Sequence, residues 1–175
     1  RFGQVSPTTA TAVIEELGDY LSEDDLVLDG GPCNVGIEST IIDCTGNLPR
    51  VLRPGGISSA MIQESTGLKT VNVTGHDAIR VSGSLENHYS PEAIVALDCE
   101  PEPGDGFIAL ASVPTPAGVV RLASPANNEE FARVLYAALR SADERSLTRV
   151  VVHQPSGDDI SVAIRDRLLR ASRGR

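Results

Sequence analysis

Short apolar runs separated by turn-forming residues dominate the second half of the chain. Four of these runs, AIVALD, GFIALAS, GVVRLAS and TRVVVHQ, are rich in β-branched and aliphatic residues, as buried strands usually are. Apolar residues also recur at helical spacing in two segments, ANNEEFARVLYAALRSADERS and ISVAIRDRLLRAS. Because strands and helices alternate, residues 92–175 are predicted to form a small α/β domain with a mostly parallel sheet.

The longer of these helices is expected to contribute one face to the core of that domain. The predicted core positions are Phe131, Val134, Leu135, Ala138 and Leu139. The neighbouring glycine-rich turns, PGDG and PAG, match neither a dinucleotide fingerprint nor a P-loop. His153 follows a strand where α/β sites gather, although a lone histidine there is more often a surface residue.

The first half of the chain has a less regular pattern. Ser6-Pro7-Thr8-Thr9 precedes the helical segment ATAVIEELGDYL, in which Ala10, Val13, Leu17 and Leu21 share one face. LVLDGGP is predicted to be a short buried strand that ends in a double-glycine turn, and a short helix begins at Ile57 and ends near Gly67. Residues 69–91 have the small, polar composition of an interdomain linker.

Residues 36–55, GIESTIIDCTGNLPRVLRPG, predict a β-hairpin. β-Branched residues flank the turn-forming run Cys44-Thr45-Gly46-Asn47. Antiparallel strands joined by a short turn return to their starting point, so Arg53 is expected near Ser39 and Thr40. Two hydroxyl groups beside a guanidinium would form a corner suited to an anion or another polar ligand.

Three other positions each have a functional and a structural interpretation. The hydroxyl groups before the first helix could bind phosphate at its N-terminus, or Thr8 or Thr9 could simply cap that helix. Asp29 could be a metal ligand or general base, but an Asp before Gly-Gly is more often a turn residue. Tyr89, in the segment Glu86 to Pro91, could close over a site or anchor the linker to a domain.

Composition and charge narrow the possible partners. The net charge is −9, and residues 1–90 hold 5 basic and 12 acidic side chains, so the surface is not predicted to bind nucleic acid as a whole. The five arginines in IRDRLLRASRGR are explained by a basic helix end that complements the helix dipole.

The three cysteines match no metal or redox motif and are expected to be reduced and mostly structural. With neither a membrane span nor a signal peptide in the sequence, a cytoplasmic location is expected.

Four motifs in fixed order, SPTTA, LDGGPCNVGIESTIID, VLRPGGIS and HYSPEA, resemble the threonylcarbamoyl-AMP synthases. The resemblance is to the two-domain form of that family, in which a YrdC-like α+β domain precedes a smaller Rossmann-like α/β domain. It implies that residues 1–68 are the C-terminal part of a YrdC-like domain, followed by the linker at 69–91. It also implies a nucleotidyltransferase that makes threonylcarbamoyl-AMP and pyrophosphate from L-threonine, bicarbonate and ATP.

The resemblance further implies roles for individual residues. Thr8, Arg53 and Tyr89 would bind ATP, with Arg53 on its phosphates and Tyr89 in a linker that folds over the nucleotide. The hydroxyl of Ser39, with that of Thr40, would hold L-threonine. Mg²⁺ would accompany ATP, held mainly by its phosphates. The product would pass to the threonylcarbamoyl-transfer machinery that makes N6-threonylcarbamoyladenosine in tRNA, without direct tRNA binding by this chain.

Members of the family carry further residues before SPTT, including a Ser-Ala-Asn motif and basic residues that grip the triphosphate. The chain is therefore expected to contain one wall of the site, and to be inactive by itself. Because a partial YrdC-like sheet leaves open edges and exposed apolar surface, residues 1–90 alone are expected to be poorly stable or to complete themselves with another chain or copy. The second domain should fold by itself. An alternative function is a non-catalytic nucleotide-binding or regulatory fragment, and an RNA-binding module is a third possibility that the negative charge opposes.

Overall fold

The computed structural model describes residues 3–72, 81–82 and 89–174. The first part contains helix α1, Ala10–Leu17, with a 3₁₀ turn at Gly18–Tyr20, then strands β1, Ile41–Asp43, and β2, Arg50–Arg53, helix α2, Ser59–Thr66, and strand β3, Val71–Asn72. The second part contains β4, Ile94–Leu97, β5, Gly106–Ile108, β6, Val120–Ala123, α3, Asn128–Glu144, β7, Arg149–Val152, and α4, Ser161–Ser172.

The α/β domain predicted in the second half is confirmed. Its four strands lie in the order β4-β7-β5-β6, and every neighbouring pair is parallel. Helices α3 and α4 pack on this sheet and on each other. Each of the four strands coincides with a predicted apolar run. The central strands β5 and β7 are buried almost throughout, whereas the edge strands β4 and β6 are partly exposed.

Helix α3 supplies most of the core beside the sheet. Its N-cap, Asn127, accepts a hydrogen bond from the Glu130 amide at 2.9 Å, which fixes where the helix begins. Four of the five predicted core residues are buried, and Val134 is partly exposed. Tyr136, which the sequence analysis left out of the core, is also buried.

The predicted hairpin is confirmed, with a shorter first strand. β1 and β2 are antiparallel and Ile41 lies opposite Arg53. In the turn, the Asp43 carboxylate accepts hydrogen bonds from the Thr45 amide at 2.9 Å and hydroxyl at 2.7 Å, and it pairs with Arg50. These bonds, the Thr45 hydroxyl's first among them, lower the Asp43 pKa to about 2.

The predicted linker contributes to the first sheet. Residues 71–72 form β3, which lies parallel to β2 in a three-stranded sheet of order β1-β2-β3. Residues 73–80 and 83–88 lie outside the described residues. The boundaries 1–68, 69–91 and 92–175 stay a prediction.

One prediction for the first half is wrong. LVLDGGP forms no strand, and Leu26 and Leu28 are 84% and 88% exposed. A strand needs a hydrogen-bonded neighbouring strand, and none of the described residues forms a strand beside this segment. The predicted first helix is confirmed as α1, with Ala10, Val13 and Leu17 partly buried, but it ends at Leu17 and leaves Leu21 exposed.

Two glycines allow residues 36–40 to pass between the hairpin and α3. Gly36 has φ +83°, and a Cβ there would lie 2.3 Å from the Cα of Arg133 in α3. A Cβ on Gly55 would lie 2.3 Å from the carbonyl carbon of Ser39. Only glycine permits both approaches, so the segment that carries Ser39 is enclosed on both sides.

Candidate ligand site and its buried charge network

The candidate site begins with a corner formed by Ser39 and Arg53. Arg53 is 6% exposed, and its Nη2 and Nε donate to the Ser39 carbonyl at 2.9 and 3.3 Å. Nη2 also lies 3.4 Å from the Ser39 hydroxyl, and Nη1 donates to the Ser82 carbonyl at 2.9 Å. The predicted proximity of Ser39 and Arg53 is confirmed. The hydrogen bonds to the Ser39 and Ser82 carbonyls fix the direction of the Arg53 guanidinium beside the Ser39 hydroxyl.

Thr40 lies next to this corner but uses its hydroxyl elsewhere. The hydroxyl donates to the Ile57 carbonyl at 2.6 Å and accepts from the Ile57 amide at 3.1 Å. These two bonds close the loop that follows β2. Ser39 is therefore the hydroxyl that this structure brings to Arg53, and the ligand role predicted for Thr40 stays a prediction.

Thr8 and Thr9 have different local roles. Thr9 is the N-cap of α1 and its hydroxyl accepts from the Ala12 amide at 3.1 Å, as the capping alternative predicts. The Thr8 carbonyl accepts from the Cys33 amide at 2.9 Å. Thr8 also lines a cavity of about 200 Å³, whose other lining residues are Ser6, Pro7, Cys33, Gly36, Ile37, Glu38 and Tyr136.

Behind the corner lies a buried charge network centred on Glu38 and Arg167. Arg167 Nε donates to Glu38 Oε2 at 2.7 Å, and the Arg167 side chain is fully buried. The same carboxylate accepts from the Ser6 hydroxyl at 2.6 Å and from the Tyr136 hydroxyl at 2.9 Å. Arg167 belongs to α4 and Tyr136 to α3, whereas Ser6 and Glu38 belong to the first half. The network therefore joins the α/β domain to the segment that carries Ser39.

Arg167 makes three further contacts. Its Nη2 donates to the Pro54 carbonyl at 2.9 Å, and its Nη1 to Asp166 Oδ2 at 2.5 Å. The ring of Tyr89 lies under its guanidinium, 5.1 Å from Cζ to the ring centroid. A cation held over an aromatic face in this way is stabilised by the ring quadrupole. Arg167 thus contacts the hairpin, the linker end and its own helix together.

The protonation states of the network follow from these contacts. Burial alone would raise the pKa of Glu38, but hydrogen bonds from Arg167 and Ser6, with the Arg167 charge, outweigh it and lower that pKa. Burial raises the pKa of Tyr136, and the adjacent Glu38 carboxylate raises it further. Glu38 is therefore ionised at neutral pH, and Tyr136 is a neutral hydrogen-bond donor to it.

Tyr89 is placed as the anchoring alternative predicts. It is 1% exposed and stacks on Tyr136 with ring centroids 5.8 Å apart. Burial raises its pKa, against the lowering effect of Arg167 and Arg53. Its backbone φ of +63° is unusual for a non-glycine residue, so the packing must hold it there. Its contact with ATP stays a prediction, and His88 of the same motif lies outside the described residues.

The structure also decides several other sequence interpretations. Asp29 Oδ1 accepts from the Gly31 amide at 2.9 Å, so Asp29 is a turn residue. His153 Nε2 lies 3.1 Å from the Cys99 carbonyl, and its ring packs edge-on against Phe107. The three cysteines are free, as expected for reduced thiols, but all are exposed, so the structural role predicted for them is wrong.

Sequence reasoning missed the network entirely. The arginine-rich run that contains Arg167 is typical of a basic helix end, and Glu38 lies inside the GIEST motif with no local feature that distinguishes it. A signal was available in the helical pattern, because Arg167 lies three residues after Ile164 and one before Leu168, both fully buried. An arginine on an apolar helix face needs an acidic partner, but its partner here is 129 residues away in sequence.

Within residues 3–72, 81–82 and 89–174, no helix is both long and apolar enough to cross a membrane. In the same residues, no group of three or more His, Cys, Asp or Glu side chains is placed to hold a metal ion.

Comparison with known proteins identifies related sequences over nearly the whole chain. A family model described as "Threonylcarbamoyl-AMP synthase, C-terminal domain" matches residues 57–173, and one described as "Telomere recombination" matches residues 1–55. The threonylcarbamoyl-AMP synthase of Bacillus subtilis is 29% identical over 194 residues, covering 99% of this chain and 55% of the relative. That of Schizosaccharomyces pombe is 29% identical over 202 residues, covering 95% and 49%.

A solved structure agrees with these matches. The crystal structure of P. abyssi Sua5 complexed with L-threonine has a TM-score of 0.81 and 27% identity, and it covers 99% of this chain and 56% of that chain. The chain thus spans about half the length of the curated relatives it matches. Since the first family model covers more than half of the chain, the chain belongs to the threonylcarbamoyl-AMP synthase family.

Proposed function

We propose that the chain takes part in the ATP-dependent synthesis of threonylcarbamoyl-AMP, as a nucleotidyltransferase that serves N6-threonylcarbamoyladenosine formation in tRNA. The observation that carries the proposal is the match, with a TM-score of 0.81, to the crystal structure of P. abyssi Sua5 complexed with L-threonine. The oriented Ser39 and Arg53 corner supports it, since this corner offers a hydroxyl and a cationic donor side by side.

The reaction consists of two bond-forming steps. The amine of L-threonine and bicarbonate give a carbamate with loss of water. A carbamate oxygen then attacks the α-phosphorus of ATP, and the bond from that phosphorus to the bridging oxygen breaks as pyrophosphate leaves. Such chemistry depends chiefly on positioning and on stabilising the charge that accumulates on phosphate oxygens.

In this proposal Ser39, with Thr40 beside it, binds L-threonine, and Arg53 binds the ATP phosphates. The Ser39 and Ser82 carbonyls already fix the direction of the Arg53 guanidinium, so little reorganisation is needed when charge develops. Thr8 would contact the nucleotide from the neighbouring cavity, and Tyr89 from the linker end. Mg²⁺ would arrive with ATP as MgATP, held mainly by its phosphates rather than by a cage of side chains.

Bicarbonate, the threonylcarbamoyl-transfer machinery that takes the product, and a cytoplasmic location also belong to this proposal. Pyrophosphate release from ATP tests it in the protein as its gene encodes it. Release should require both L-threonine and bicarbonate, and omission of either should abolish it. Nucleotide binding without turnover would instead support the non-catalytic alternative, and salt-dependent RNA binding would support the RNA-binding module.

A further inference from the structure

The buried network contacts the main chain on both sides of the ligand corner. Arg167 binds the Glu38 carboxylate at 2.7 Å and the Pro54 carbonyl at 2.9 Å. Glu38 immediately precedes Ser39, and Pro54 immediately follows Arg53. One fully buried guanidinium therefore holds the two backbone segments that carry the corner.

Further hydrogen bonds join these two backbone segments directly to each other. Arg53 donates to the Ser39 carbonyl at 2.9 Å, and the Gly56 amide donates to the Glu38 carbonyl at 3.2 Å. Gly55 packs so closely on Ser39 that no side chain fits between the two segments. A shift of Glu38 or Pro54 would therefore be transmitted directly to the Ser39 hydroxyl and the Arg53 guanidinium.

The hydrogen bonds of Arg167 mostly reach away from its own helix, unlike those of a side chain that only packs α4. Two of the three nitrogens of Arg167, Nε and Nη2, donate to the first half of the chain, and only Nη1 donates to its own helix. Arg167 has no exposed surface, so it acts on a ligand only through the residues it holds. The Tyr136 hydroxyl lies 2.9 Å from Oε2 and 3.1 Å from Oε1 of Glu38, so it holds the same carboxylate from α3.

We propose that Arg167 and Tyr136 are positioning residues of the ligand corner. Through Glu38 and Pro54 they set the position of Ser39 relative to Arg53, and so the α/β domain controls how tightly the corner binds its ligand. The identity of that ligand as L-threonine rests on the proposed function.

The test compares Arg167→Lys and Tyr136→Phe with Arg170→Lys, in the protein as its gene encodes it. Arg170 lies one turn after Arg167 on α4 and pairs with Asp166, as Arg167 also does. No hydrogen bond joins Arg170 to Glu38 among the described residues, so Arg170→Lys is a matched control for the contact with Asp166. Tyr136→Phe keeps the core volume and removes only the hydroxyl, so it stays informative if Arg167→Lys fails to fold.

Hydrogen exchange is measured first on the ligand-free proteins. Backbone amides of residues 38–42 should exchange about tenfold faster in Arg167→Lys and Tyr136→Phe, whereas those of α3 and Arg170→Lys should match the wild type. Unchanged exchange at 38–42 in both variants would overturn the proposal, whatever the ligand is.

L-threonine binding is then measured by calorimetry, with the KM for L-threonine as a second readout. Arg167→Lys and Tyr136→Phe should both weaken binding and raise KM about tenfold, while kcat stays within about twofold of the wild type. Faster exchange without weaker binding would overturn the positioning role. If the wild type binds no L-threonine, the proposed function fails, while the exchange comparison still decides whether Arg167 holds the corner.

Discussion

Replacement of Glu38 by glutamine is the sharpest single test of the buried network. Glutamine keeps the size of the side chain and removes the charge that Arg167 faces. It also puts an NH₂ group where Glu38 now accepts from Ser6 or Tyr136, so one of those donors loses its acceptor. The Arg167 guanidinium keeps Asp166 and the Pro54 carbonyl, and it stays fully buried.

The expected cost follows from these contacts. Breaking a buried ion pair by removing one partner costs about 3–5 kcal/mol. Here the loss is smaller, because the Glu38 side chain is 22% exposed and Arg167 retains a carboxylate partner. We expect the free energy of unfolding to fall by about 2–3 kcal/mol, which lowers Tm by roughly 5–10 °C.

The assay is urea unfolding at pH 7, followed by far-UV circular dichroism, with comparison of the m-values to check that the transition is unchanged. Glu64→Gln is the matched control, because Glu64 lies on α2 and is exposed. The control should stay within about 0.5 kcal/mol of the wild type. A Glu38→Gln variant as stable as this control would refute the reasoning.

The pH dependence gives an independent check. The folded pKa of Glu38 lies below its ordinary value of 4.5, so its contribution to stability is fully present above that pH. It is lost as the pH falls through the folded pKa. The stability difference between wild type and Glu38→Gln should therefore be constant above pH 4.5 and narrow below it.

Four further predictions concern other parts of the molecule. Arg53→Ala should remove about 2–4 kcal/mol of transition-state stabilisation and so slow pyrophosphate release. An unchanged rate would exclude a role of Arg53 in binding the ATP phosphates. Gly36→Ala should destabilise by about 2–4 kcal/mol, because of its positive φ and its contact with α3, whereas Gly30→Ala, which meets nothing within 4 Å, should not. The wild type should lose the stability that ionised Asp43 contributes as the pH falls from 3.8 to about 2, whereas Asp43→Asn lacks this contribution at every pH. Acid titrations of both proteins, followed by circular dichroism, would show the difference. Residues 92–175 expressed alone should unfold cooperatively, and a non-cooperative melt would contradict an independent core.

The parts of the fold that sequence predicted are those decided by local pattern. The strands of the α/β domain are continuous apolar runs bounded by turn-forming residues, a pattern that is visible without knowledge of their neighbours. The hairpin is specified by its turn, and a short turn also determines that Ser39 returns to Arg53. Helix α2, expected between Ile57 and Gly67, runs from Ser59 to Thr66 with Ser58 and Gly67 as its caps, which are local signals.

The parts that sequence did not predict depend on distant partners. Leu26 and Leu28 have a strand-like pattern, but a strand requires a neighbour, and the described residues supply none. Arg167 resembles a surface arginine until Glu38 is brought against it from the other end of the chain. Tyr89 could be placed on a site or in a core, and its stacking on Tyr136 became visible only in three dimensions.

Detection of the adenylate product tests the central claim most directly. The protein as its gene encodes it would be incubated with MgATP, L-threonine and ¹³C-bicarbonate, and the nucleotides analysed by mass spectrometry. The account predicts a threonylcarbamoyl-AMP species that carries the ¹³C label and forms in step with pyrophosphate, and that is strongly reduced in Arg53→Ala. ATP left intact, or pyrophosphate released without L-threonine and without a labelled adenylate, would contradict it.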